Sequence, residues 1–66
     1  MSQEVQDFIM RMREKLSSHG IDMETVDGIV AEVLAEYERE PGDIYAIGWA
    51  VLVHGGFVGV AQELRP

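Results

Sequence analysis

A chain of 66 residues is long enough for only one small domain. Its composition, 47% hydrophobic and 26% charged, is typical of globular proteins rather than disordered ones, and the absence of cysteine excludes disulfides and thiolate metal sites. We therefore expect a single small domain over residues 1–66. Because a core of this size supplies little stability, a partner or a second copy of the chain would stabilise it further.

The net charge of −7 comes from one segment of the chain. Residues 1–21 and residues 44–66 each contain equal numbers of acidic and basic side chains and sum to zero. Residues 22–43 contain eight acids and one base, Arg39, and eight less one accounts for the whole net charge. Binding to a phosphate backbone requires clustered Lys and Arg, so we expect no direct contact with nucleic acid.

Two amphipathic helices are predicted for the first two thirds of the chain. The first begins after Ser2, a good N-cap residue, and ends at Gly20; the second begins after Asp22 and ends before Pro41. Hydrophobic residues recur at helical spacing in both: Val5, Phe8, Ile9, Met12 and Leu16 in the first, and Val26, Ile29, Val30, Val33, Leu34 and Tyr37 in the second. The short turn between them predicts an antiparallel helical hairpin.

The third segment, residues 44–61, contains no Asp, Glu, Lys or Arg and is open to more than one interpretation. We favour an all-α fold, in which a helix from about residue 43 to residue 54 is broken at Gly55-Gly56 and a short helix follows. Ala46 and Ala50 would allow this helix to approach the hairpin closely, and Gly48 predicts a close contact because glycine otherwise weakens a helix.

Two alternatives remain open for the same segment. A β-hairpin turning at Gly55-Gly56 would pair Val53 with Val58 and give an α+β fold, although two isolated strands are only marginally stable. A membrane span is the other alternative, since eighteen uncharged residues reach the lower length limit. Membrane association is disfavoured by His54, by four glycines and by the lack of flanking basic clusters.

No motif in the sequence predicts catalysis. Ser17, Ser18 and His19 are consecutive, so their side chains would point in different directions on a helix, and residues that form caps at a helix end account for them. A divalent cation bridging Glu32, Glu36 and His54 is an alternative that we do not favour. We therefore expect a protein without catalytic residues, a metal site or a cofactor.

The acidic second helix is the candidate binding surface. Its predicted partner-binding residues are Asp27, Glu32, Glu36, Glu38 and Glu40. Acids at i, i+4 spacing repel one another. A role in solubility alone would account for them, but they would also complement the basic surface of a partner. We expect a cytoplasmic inhibitor or adaptor that occupies the basic surface of a larger nucleic-acid-binding protein. Phage-encoded inhibitors of host defence systems are similar in size and charge, which extends this hypothesis to an anti-defence role.

Self-association through the third segment is the alternative function. Its predicted contact residues are Trp49, Leu52, Phe57, Val58 and Val60. Two short helices would leave these side chains uncovered, and a large exposed hydrophobic patch usually marks an interface. We accordingly expect a symmetric homodimer centred on this segment.

Overall fold

The computed structural model describes residues 2–65 and is built from four α-helices. In chain order these are α1 (Gln3–Ser18), α2 (Met23–Arg39), α3 (Ile44–His54) and α4 (Val58–Glu63). No strand occurs within the described residues. The all-α prediction is confirmed, and the alternative with a C-terminal β-hairpin is wrong.

The first two helices form the predicted hairpin, and both start at the predicted caps. The Ser2 hydroxyl accepts a hydrogen bond from the Val5 amide at 3.2 Å, and the Asp22 carboxylate accepts one from the Thr25 amide at 3.2 Å. A second hydrogen bond, from the Thr25 hydroxyl at 2.7 Å, is the main reason why the pKa of Asp22 lies below its ordinary value. The bonds from the Val5 and Thr25 amides satisfy donors that a helix start leaves without an intrahelical partner.

Gly55-Gly56 terminates α3 and does not form a hairpin turn. Gly56 has a φ of +89°, its amide donates to the Val53 carbonyl at 3.1 Å, and the Phe57 amide donates to the Leu52 carbonyl at 2.7 Å. This pair of bonds is the Schellman motif, which closes a helix around a left-handed residue. The glycine pair therefore satisfies the carbonyls of a helix end, and this is why the segment is not a pair of strands.

The same motif closes α1 before α2 begins. Gly20 has a φ of +82°, its amide donates to the Ser17 carbonyl at 2.9 Å, and the Ile21 amide donates to the Leu16 carbonyl at 3.1 Å. In both motifs a hydrophobic residue, Ile21 or Phe57, follows the glycine and packs against the core.

One hydrophobic core unites the four helices. Its buried members are Val5, Phe8, Met12, Leu16, Val26, Val30, Val33, Ile44, Leu52, Val60, Ala61 and Leu64. The hydrophobic stripes predicted for α1 and α2 supply seven of these residues, and the third segment and the residues after it supply the other five. The third segment therefore folds back on the hairpin. Within residues 2–65 no helix has the length and hydrophobicity that a membrane span requires.

Gly48 lies where α3 meets α1, as the sequence predicts. A Cβ atom at this position would stand only 2.3 Å from Cζ of Phe8, so only glycine fits without a displacement. Ala46 and Ala50 face α2 of the hairpin, as expected, but neither is buried there. Gly48 lies on the same face of α3 as the buried Ile44 and makes the close approach to α1.

Candidate functional site

The five predicted partner-binding acids do not form a single surface. Asp27 and Glu38 lie along the edge of α2 that faces α1, whereas Glu32 and Glu36 lie along the edge that faces α3. Glu40 caps the C-terminal end of the helix. Between the two edges runs an exposed strip of small residues that includes Gly28, Ala31 and Ala35.

Two of these acids are paired with cations of the same chain. Asp27 binds Arg13 of α1 at 2.8 Å, and Glu36 binds Arg39 one turn further along α2. The hydrogen bond and the charge of Glu36 raise the pKa of Arg39, and the charge of Glu40 adds to this effect. Within residues 2–65 no ion pair includes Glu32 or Glu38.

Most of the protein's basic side chains have partners within the chain. Arg11 donates to the Tyr45 hydroxyl at 3.3 Å, and its guanidinium carbon lies 6.0 Å from the centre of the Tyr45 ring. Lys15 lies 3.5 Å from Glu63. With Arg13 and Arg39 also paired, four of the five Lys and Arg side chains have partners, and only Arg65 has none within the described residues.

A groove of about 410 Å³ lies between α2 and α3. Glu32 and Glu36 line its α2 side, and His54 lies at the C-terminal end of its α3 side. The remaining lining residues are hydrophobic: Ala46, Ile47, Ala50 and Val51. The groove is thus a hydrophobic surface bordered by two carboxylates, one of which has no cation of the described chain beside it.

The structure brings Glu32, Glu36 and His54 to the same groove, but it does not arrange them as metal ligands. Within residues 2–65 no cluster of three His, Asp or Glu side chains is placed to hold a metal ion.

The Ser18 hydroxyl donates to the Lys15 carbonyl at 2.8 Å, and His19 contacts the Glu63 carboxylate at 2.7 Å. Both side chains therefore have structural partners at the end of α1.

The contact between His19 and Glu63 joins α1 to α4. The hydrogen bond from His19 is the main cause that lowers the pKa of Glu63, and the charges of His19 and Lys15 lower it further. Glu63 therefore remains ionised to a lower pH than an ordinary glutamate.

The predicted self-association residues divide into an exposed and a buried group. Trp49 and Val58 are 44% and 45% exposed, whereas Leu52 and Val60 are 0% and 2% exposed and Phe57 packs partly against the core. Trp49 also borders a small hydrophobic pocket of about 130 Å³ between α1, α3 and α4. The hydrophobic surface left for a second copy is therefore smaller than the sequence predicts, because Leu52 and Val60 are part of the chain's own core.

Comparisons with protein-family models, with curated proteins and with solved structures give no significant match. The case for a function therefore depends on the residues of this chain. Sequence reasoning missed the α2–α3 groove because it took Ala46 and Ala50 to be covered by the hairpin, whereas both stay exposed beside α2. The helical spacing of Glu32 and Glu38 places them on opposite edges of α2. This spacing could have shown that the acids belong to two separate surfaces.

Proposed function

We propose that this protein is a non-enzymatic, acidic protein-binding module that presents α2 to a basic surface of a larger protein. The basic surface is of the type that binds nucleic acid, so that the module acts as an inhibitor or an adaptor. Because such partners are found in the cytoplasm, we place the protein there. One role for such a module is to inhibit a nucleic-acid-binding defence protein of a host.

The observation that carries this proposal is the distribution of partners among the charged side chains. Four of the five basic side chains are engaged within the fold, while Glu32 and Glu38 have no ion pair in residues 2–65. The outward-facing charge of α2 is therefore negative along both of its edges. Surfaces with charge of a single sign attract partners of the opposite sign and accelerate their association.

The test is capture of the partner followed by competition with nucleic acid. The full chain is immobilised and exposed to lysate of its source cells at low and at high salt, and the retained protein is identified and purified. We expect a basic protein whose binding weakens as salt rises, because salt screens charges at an exposed interface. Duplex DNA or RNA should displace it. A purified partner that binds the module and nucleic acid simultaneously would exclude the inhibitor but would leave the adaptor.

Self-association is a second candidate, favoured by the exposure of Trp49 and Val58. These two side chains lie on α3 and α4 and do not line the groove that contains Glu32 and Glu36, so a dimer formed through them would leave that groove free. Sedimentation equilibrium with wild-type protein and a Trp49→Ala variant tests this candidate. A dimer that Trp49→Ala dissociates would support it, and a wild-type monomer at high micromolar concentration would exclude it.

A further inference from the structure

We propose that the groove between α2 and α3 is the docking site for a basic amphipathic helix of the partner protein. The cationic side chains of that helix pair with Glu32 and Glu36, and their aliphatic stems cover Ala46 and Ala50. This inference rests on the proposed function and adds to it the part of the surface that binds and the chemistry of the segment that is bound.

The spacing of the groove residues matches a helix. Glu32 and Glu36 are four residues apart on α2, and Ala46 and Ala50 are four residues apart on α3, so each pair spans about 6 Å along its helix axis. Arg or Lys residues at i and i+4 on a partner helix have the same spacing. Their hydrocarbon stems can lie on a hydrophobic surface while their charged ends reach a carboxylate.

The groove contains the two features that such a side chain requires. Ala46 and Ala50 are exposed, so a hydrophobic stem would find a free surface. Glu32 has no ion pair within residues 2–65, and Glu36 is held only by Arg39, which is itself exposed. Exposed ion pairs contribute little free energy, so a partner cation can replace Arg39 at small cost.

A second copy of this chain is disfavoured as the source of the docking helix. Its one pair of cations at i, i+4 is Arg11 and Lys15 of α1, and these are engaged with Tyr45 and Glu63. Docking groove against groove would place Glu32 and Glu36 of both copies together, and like charges at an interface oppose association. Charge complementarity therefore favours a different, basic protein.

The test uses a synthetic probe in place of the unidentified partner. The probe is a helical peptide of about 18 residues, composed of alanine and leucine with arginine at i, i+4 positions. Its affinity for the full chain is measured by calorimetry, and its site is mapped by amide chemical shifts in two-dimensional NMR. Two control peptides accompany it: one with glutamate in place of arginine, and one with a central proline that prevents helix formation.

Two double variants with the same change of charge compare the groove with the rest of the surface. Glu32→Gln with Glu36→Gln removes the groove carboxylates, whereas Glu14→Gln with Glu24→Gln removes two exposed acids outside the groove. A third variant, Ala50→Gln, adds bulk to the groove without any change of charge. None of these positions is buried, and glutamine is a good helix former, so every variant should fold.

We expect Glu32→Gln with Glu36→Gln to weaken peptide binding at least tenfold, and Ala50→Gln to do the same. The two control glutamine substitutions should weaken it less than threefold. The changes in amide chemical shift should centre on Ala46 and Ala50. Equal losses of affinity for both glutamate pairs, with no effect of Ala50→Gln, would refute the groove as the docking site. Acid-dependent binding of a basic partner would still stand. No loss in either pair would overturn the proposed function as well. Equal affinity for the proline peptide would refute a helical occupant, and dimerisation strengthened by the groove pair would identify a second copy as the occupant.

Discussion

Two glycines within helices should respond in opposite ways to the same substitution. Replacing a helical glycine with alanine gains about 1 kcal/mol of intrinsic helix propensity. At Gly28 of α2 a new Cβ would meet nothing within 4 Å, so Gly28→Ala should stabilise the protein by about that amount. At Gly48 of α3 the new Cβ would stand 2.3 Å and 2.4 Å from two ring carbons of Phe8.

The contact with Phe8 determines how far Gly48→Ala differs in stability from Gly28→Ala. Its ring is buried and packs edge-on against Tyr45, with ring centres 5.0 Å apart, so it has little freedom to move. Overpacking of this kind costs about 1–3 kcal/mol. After the gain in helix propensity, Gly48→Ala should change stability by between about 0 and 2 kcal/mol, in the destabilising direction.

Thermal and urea unfolding of both variants measure this difference. In a domain of this size 1 kcal/mol corresponds to about 4–8 °C in Tm, so Gly28→Ala should melt above wild type and Gly48→Ala at or below it. In a Phe8→Leu background, in which the ring atoms that meet the new Cβ are absent, the cost of Gly48→Ala should fall. Equal stabilisation by both alanine substitutions would refute the packing of α3 on Phe8.

Further predictions concern the core and the acid response. Leu52→Ala should cost about 2–5 kcal/mol because Leu52 is fully buried, and Trp49→Ala, at an exposed position, should cost much less; the reverse order in urea unfolding would contradict the fold of the third segment. Val30→Ala should lower Tm more than Leu34→Val does, since Val30 lies in the core and Leu34 is only partly buried. The lowered pKa of Glu63 means that its ionised form stabilises the fold at pH values above the ordinary glutamate pKa of 4.5 and that this contribution disappears as the pH falls through the lowered pKa. The gap in Tm between wild type and Glu63→Gln should therefore close on acidification, and a gap that widens would contradict it.

Hydrophobic spacing and caps were sufficient to predict the helical hairpin. Ser2 and Asp22 cap the helices that the sequence assigns to them, and the stripes of α1 and α2 supply most of the core. Such signals are local: a cap needs one side chain and one nearby amide, and a stripe needs only helical spacing. Local signals can be interpreted without knowledge of the tertiary structure.

The third segment was harder because a run of uncharged residues has no polar face to define its period. Hydrophobic residues occur on every side of α3, so alternating and helical spacing both fit the sequence. A local signal nevertheless existed in the two helix ends: His19 is followed by Gly20 and Ile21, and His54 by two glycines and a hydrophobic residue. Both sequences form the same Schellman motif.

The candidate site could be predicted only in part. The excess of acids on α2 is visible in the sequence, but the groove depends on where α3 lies relative to Glu32 and Glu36. That position is set by the contact between Gly48 and Phe8, which are far apart in the chain, and by the burial of Leu52. Contacts at such separations cannot be deduced from helical spacing within a single segment.

Binding of the purified partner at different salt concentrations shows directly whether the acids of α2 recognise a basic protein. The affinity of the purified partner is determined over a range of salt concentrations for wild type and for the variant Glu32→Gln, Glu36→Gln, Glu40→Gln. We predict at least a tenfold loss of affinity, about 1.4 kcal/mol, mainly through slower association, together with a flatter salt dependence. Unchanged affinity and an unchanged salt dependence would show that these glutamates only face solvent.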